Sequence, residues 1–147
     1  MIAEDDSGHA QLIRKNIGRA GIGNRIIHFR DGQQLLEFLF RDKNVAHWSQ
    51  DTSYLILLDI RMPRVDGIEV LEKIKADEQL KQIPVVVLTT TDDPIEIGRC
   101  YRLGCSTYIK KPLDYREFIE MIRELGLYLQ VVSLSDPIRE NDKNDGH

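Results

Sequence analysis

Short apolar runs alternate along this chain with segments of helical period, and that alternation constrains the fold more than any other feature. The runs read as strands over residues 1–4, 25–29, 54–58, 83–88 and 106–110. Between them lie helices. Ser7 to about Ala20 carries the stripe Leu12, Ile13 and Ile17 and is closed by Gly21. Asp31 caps a second helix with Leu35, Leu36, Leu39 and Phe40 on its inner face. Asp66 to about Ala76 carries Ile68, Val70, Leu71 and Ile74, Asp92 to Leu103 is ended by Gly104, and Asp114 caps the last helix. Residues 41–53 are polar around Trp48 and read as a long loop. Nearly continuous apolar strands, each followed by a helix, imply a parallel sheet covered on both faces. Right-handed crossovers then restrict the topology to a doubly wound α/β sandwich. Functional groups in such folds collect at the carboxyl ends of the strands.

Those ends carry chemistry. The run Leu55 to Leu58 goes straight into the carboxylate of Asp59. A carboxylate closing a buried strand is costly unless something compensates it. Strand 1 ends in Glu4-Asp5-Asp6, strand 4 in Thr89-Thr90-Thr91, and strand 5 in Lys110-Lys111-Pro112. On this fold the ends converge, so several carboxylates share one pocket with a single useful lysine. An oxygen-seeking divalent cation such as Mg2+, held by a few carboxylates and waters, suits that arrangement. Asp59 can then act as a nucleophile toward phosphorus and carry an acyl phosphate. The metal and Lys111 would stabilise the transferring group, and the Thr89 hydroxyl could bond one phosphoryl oxygen.

Composition narrows the alternatives. A chain of 147 residues with 41% hydrophobic and 30% charged residues suits one ordinary globular domain. Its net charge of -4, with no dense Lys/Arg stripe, argues against direct DNA binding. No apolar run approaches membrane-spanning length and the first residues lack a signal-peptide pattern, so a cytoplasmic location is expected. Cys100 and Cys105 read as reduced thiols, and His9, His28, His47 and His147 are too scattered to form a metal site.

Taken together, Glu4-Asp5-Asp6, the segment from Asp59 through Pro63 to Asp66-Gly67, Pro84 to Thr89, and Tyr108 to Pro112 resemble the response-regulator receiver domain of two-component signalling. Each motif is weak alone. In this order, at successive strand ends, they are specific. The resemblance implies a five-stranded sheet of flavodoxin-like order 2-1-3-4-5 with five helices. It implies Asp59 as phosphoacceptor, Asp5 as a direct Mg2+ ligand, Glu4 as a ligand through water, and the Arg61 carbonyl as a further ligand. Lys111 is the family's lysine, and a cis Lys111–Pro112 bond is expected. By the same resemblance Thr89 and Tyr108 would be the switch pair, and Arg61 and Thr91 would tune the phosphoryl lifetime. The chain is not expected to be an enzyme beyond its own phosphotransfer and slow autodephosphorylation.

Three features depart from the plain pattern. Only Met1-Ile2-Ala3 precede the acidic pair, so the first strand is short or further residues lie ahead of it. Nothing after Leu134 reads as a DNA-binding output domain, so the regulator acts through a partner protein or relays the phosphoryl group. The last helix runs long: Phe118, Ile122, Leu125, Leu129 and Val132 hold one stripe, while Leu127, Val131 and Leu134 hold another. The division is then a receiver at 1–126, a helical extension at 127–135 and a disordered tail at 136–147, with a possible break at Gly126. The extension reads as a self-association surface. These traits are similar to single-domain regulators paired with bacterial phytochrome-type histidine kinases, often dimeric through the fourth helix, fifth strand and fifth helix. The expected partners are a sensor histidine kinase, a downstream protein and a second copy. Two rivals stand beside this reading. One is an interaction module that works without phosphorylation. The other is an aspartate-nucleophile phosphatase, which needs a second carboxylate where Arg61 stands.

Overall fold

The computed structural model of the protein describes residues 1–19, 25–41 and 54–134, the last five by their backbone alone. The readings of Gly21, the loop at 42–53 and the tail from 135 onward lie outside the described residues. Five parallel strands form one sheet in the order β2-β1-β3-β4-β5. They are β1 (Ile2–Ala3), β2 (His28–Phe29), β3 (Ile56–Leu58), β4 (Val85–Thr89) and β5 (Thr107–Lys110). The helices are α1 (Ser7–Arg19), α2 (Gly32–Phe40), α3 (Gly67–Ala76), α4 (Pro94–Leu103) and α5 (Tyr115–Leu134). The strands are shorter than the apolar runs, most of all β2, where the run from Arg25 pairs only at its end. β1 spans two residues, paired with both β2 and β3.

Alternation along each strand divides the core in two. Ile56, Leu58, Val85 and Val87 face a cluster with Leu35, Leu71, Ile74 and Cys100 from α2, α3 and α4. Leu57, Val86 and Leu88 face the other side, with Ile13 and Ile17 of α1 and Phe118, Ile122 and Leu125 of α5. Runs such as Ile56–Leu58 are therefore apolar at every position, because both faces are covered.

Side-chain caps fix where helices begin. Asp31 Oδ1 accepts from Gln34 N at 2.8 Å, and Asp66 Oδ1 accepts from Glu69 N at 2.9 Å. Asp114 Oδ1 accepts from Arg116 N and Glu117 N at 2.9 and 3.1 Å. The fourth helix starts two residues later than its sequence suggests. Asp93 is the cap, accepting from Ile95 N, and Pro94 takes the first turn, where its missing N–H costs nothing. Gly104 ends α4 with φ of 104°, a left-handed conformation that favours glycine.

The last helix does not break at Gly126 but continues to Leu134. Burying Phe118, Ile122 and Leu125 contributes about 2 kcal/mol apiece, enough to offset roughly 1 kcal/mol for an internal glycine. Leu129 is half-buried against the same cluster, whereas Leu127 and Tyr128 are exposed. No described helix is long and apolar enough to cross a membrane.

Candidate functional site

Strand pairing brings the acidic groups together. Asp59 N donates to the Ala3 carbonyl and Glu4 N donates to the Phe29 carbonyl, each at 3.0 Å. These continuations of the ladder set the Glu4 and Asp59 backbones side by side. Gly67 lets the start of α3 close in behind them: a Cβ there would sit 2.3 Å from the Asp59 carbonyl oxygen. One carboxylate oxygen from each of Glu4, Asp5 and Asp59 lies within 4.8 Å of the others. Glu4 and Asp59 are buried, while Asp5 is exposed at the mouth.

Lys111 enters from the far edge of the sheet. Its backbone N donates to the Thr89 carbonyl at 2.6 Å, which extends the β4–β5 pairing by one residue. Its buried Nζ donates to Glu4 Oε2 and, at 3.2 Å, to Asp59 Oδ2. The ammonium is thus shared between the two buried carboxylates. Burial pushes the Glu4 carboxyl up to about 7, against the opposing pull of Lys111. One cation faces three acids, so the pocket retains an anionic surplus. Its donors are hard oxygens at close range with one ligand open to solvent, and this set fits Mg2+ or Mn2+.

The predicted residues at the rim are also near at hand. Arg61 N donates to Asp59 Oδ1 at 3.3 Å. The Arg61 side chain leaves the pocket, and its Nε donates to Thr91 Oγ1 at 3.3 Å. Thr89 is fully buried and its hydroxyl has no hydrogen-bond partner among the described residues. A buried hydroxyl in that state is costly until a partner is supplied. The Tyr108 ring is half-buried and its hydroxyl donates to the Thr91 carbonyl at 2.7 Å. Burial raises that phenol to about 12. Thr91 is therefore held on two sides, by Arg61 and by Tyr108.

One expectation fails outright. The Lys111–Pro112 bond is trans, as is every peptide bond among the described residues. Trans is the lower-energy form even before proline, and a Lys-Pro pair alone does not select cis.

Several contacts escaped the sequence reading. Glu96 on α4 pairs with Arg61 at 3.1 Å across 35 residues of chain. Asp92 pairs with Lys110 at 2.8 Å. Arg64 adopts φ of 67°, rare for a residue with a Cβ, and its Nε lies 3.7 Å from Asp31 Oδ2. His28 Nε2 lies 2.8 Å from the Glu4 carbonyl oxygen. No short-range pattern signals these pairs. Each joins residues on different elements, and only the helical period of α4 could have hinted that Glu96 faces inward.

Comparison with known proteins agrees with this geometry. The family profile of the response regulator receiver domain matches residues 1–123. A solved receiver domain from Rhodospirillum rubrum is 48% identical, covering 88% of this chain and 92% of its own, with a TM-score of 0.83. Response regulator Rcp1 of Synechocystis is 30% identical over 91% of this chain and 90% of its own length. Its Mn2+-bound structure superposes with a TM-score of 0.76 over 84% of this chain and 88% of that one. The phosphorylated cyanobacterial phytochrome response regulator RcpA matches at 31% identity and a TM-score of 0.76, over 84% of this chain and 87% of that one. These likenesses bear out the resemblance to phytochrome-type regulators. Sequence motifs, strand order and pocket converge on one conclusion: the chain belongs to the response-regulator receiver family.

Proposed function

We propose that this protein is a phosphorylation-dependent response regulator that takes a phosphoryl group from a sensor histidine kinase onto Asp59. The observation that carries the reading is the shared ammonium of Lys111, in contact with both Glu4 and Asp59 in the buried part of an acidic cluster. Asp59 Oδ attacks phosphorus, an O–P bond forms, and the P–N bond to the donor imidazole breaks; its electron pair stays on the ring nitrogen, and the ring, protonated on its other nitrogen, leaves as neutral imidazole. Lys111 leaves Asp59 Oδ2 for a phosphoryl oxygen and stays on Glu4. Asp5, Glu4 through water, Asp59 and the Arg61 carbonyl would hold Mg2+. The cation, when bound, neutralises charge on the phosphoryl oxygens.

The Thr89 hydroxyl, buried and unpartnered, then bonds one of those oxygens. Its movement draws the β4–α4 loop inward and Tyr108 follows. The face formed by α4, β5 and α5 thereby shifts between two existing populations. Exposed Ile95 and Tyr101 on α4, and Leu127 and Tyr128 on α5, support that face as the surface for a partner protein or a second copy. The likeness to RcpA, a phytochrome response regulator, supports a phytochrome-type kinase as the phosphoryl source. A hydrolase is disfavoured, because the residue two beyond Asp59 is arginine rather than a second carboxylate.

The test is intact mass after incubation with a small acyl phosphate, with and without Mg2+. We expect the gain of one phosphoryl group that requires both Mg2+ and Asp59 and is absent in Asp59→Asn. No gain in the wild type under either condition would sink the reading and leave an interaction module.

A further inference from the structure

We propose that Glu96 is a positioning residue that keeps the Arg61 guanidinium on α4 in the resting protein and yields it to the phosphoryl group on Asp59. The inference rests on Asp59 being the phosphoacceptor. The Arg61 backbone already touches the Asp59 carboxylate, N to Oδ1 at 3.3 Å. Its guanidinium is therefore within one side chain's length of whatever Asp59 carries. In this structure it turns away instead, with Nε on Thr91 Oγ1 and a terminal nitrogen 3.1 Å from Glu96 Oε2.

The hold is weak by construction. Glu96 Oε1 is buried without a hydrogen-bond partner among the described residues, so the pair is single rather than a two-point fork. The Arg61 side chain is 67% exposed and free to swing, whereas that of Glu96 is 11% exposed and fixed. An acyl phosphate offers the guanidinium nearly twice the charge of a carboxylate, with three acceptor oxygens. The same side chain thus has two anionic seats, and loading Asp59 tips it from one to the other. Thr91 links the seats to the switch, because its hydroxyl is on Arg61 and its carbonyl is on Tyr108. Departure of Arg61 removes a tether from both the β4–α4 loop and the first turn of α4.

Affinity for beryllofluoride, which mimics the phosphoryl group on an aspartate, tests this at equilibrium. Calorimetric titration in Mg2+ would compare the wild type, Glu96→Gln, Arg61→Ala and the double variant, with melting midpoints to confirm folding. Removing the competing seat is expected to tighten binding about threefold in Glu96→Gln, in line with a partly exposed ion pair. Arg61→Ala is expected to weaken it, and adding Glu96→Gln to that background to change nothing further. Glu96→Ala guards against a packing artefact and should move affinity the same way as Glu96→Gln. Equal tightening with and without Arg61 would mean charge acting through space, and no tightening would mean no competition; either overturns the proposal. No beryllofluoride binding by the wild type would instead overturn the reading of Asp59, and this inference with it.

Discussion

The two halves of the site are built by different means. On the β1–β3 side, Glu4 and Asp59 are set by ladder hydrogen bonds, closed off by Gly67, and shared by one buried ammonium. On the β4–β5 side, the rim is tied down by long side chains: Arg61 to Thr91 and Glu96, Tyr108 to Thr91, and Lys110 to Asp92. Backbone placement gives a fixed constellation for chemistry. Side-chain tethers are individually weak, and so give a surface whose arrangement a small change in charge can alter. The proposed switch needs both, a pocket that stays and a rim that moves.

The contrast can be broken by mutation, and the pocket should show the larger effects. Lys111→Ala leaves two buried carboxylates without their cation, and we expect a loss of about 3 kcal/mol in denaturant unfolding without metal, partly restored by Mg2+. A cost below about 1 kcal/mol would show that the pocket is better solvated than its burial implies. Gly67→Ala forces backbone away from the Asp59 carbonyl and should cost about 2 kcal/mol while lowering phosphorylation yield. A variant as stable and as readily phosphorylated as wild type would mean that α3 does not fix Asp59.

The acidity of Glu4 sharpens the same half. Its carboxyl is raised to about 7 chiefly by burial. Above that pH the ionised form favours a cation; below it a proton competes. Mg2+ affinity should therefore weaken by up to about tenfold per pH unit as pH falls below 7, as read by titration calorimetry. A flat profile between pH 8 and 6 would place Glu4 outside the metal's influence.

The rim should yield less. Tyr108→Phe loses the hydroxyl bond to the Thr91 carbonyl, worth about 1 kcal/mol, and should leave the phosphorylation yield in place. Lys110→Ala removes an exposed pair and should leave both melting midpoint and yield unchanged. If either variant crippled phosphorylation, the rim would be part of the chemistry and the comparison would fail.

Much of the pocket was legible in the sequence because parallel strands end on one side of a sheet. Once Asp59 closes an apolar run, neighbouring strand ends must deliver their residues to the same place. Asp31, Asp66 and Gly104 were legible for an equally local reason, since caps and left-handed turns select few residue types. Strand length was less so: Arg25 to Phe29 is apolar enough for a strand, but only His28 and Phe29 stand in register with the two-residue β1. The start of α4 turned on whether Asp92 or Asp93 capped it, and Pro94 decides for Asp93. The rim was least legible. Arg61 and Glu96 are far apart in sequence, and which way a long side chain swings depends on what lies across the gap. Even so, Arg61 and Thr91, expected together at the rim, are hydrogen-bonded to each other.

In the proposed switch a fixed pocket drives a mobile rim. Hydrogen exchange measured with Mg2+, before and after adding beryllofluoride, tests it directly. We expect changed protection across residues 90–103 and 107–110, with residues 2–4 and 56–59 slow to exchange in both states. Tight beryllofluoride binding with no change at the rim would contradict it.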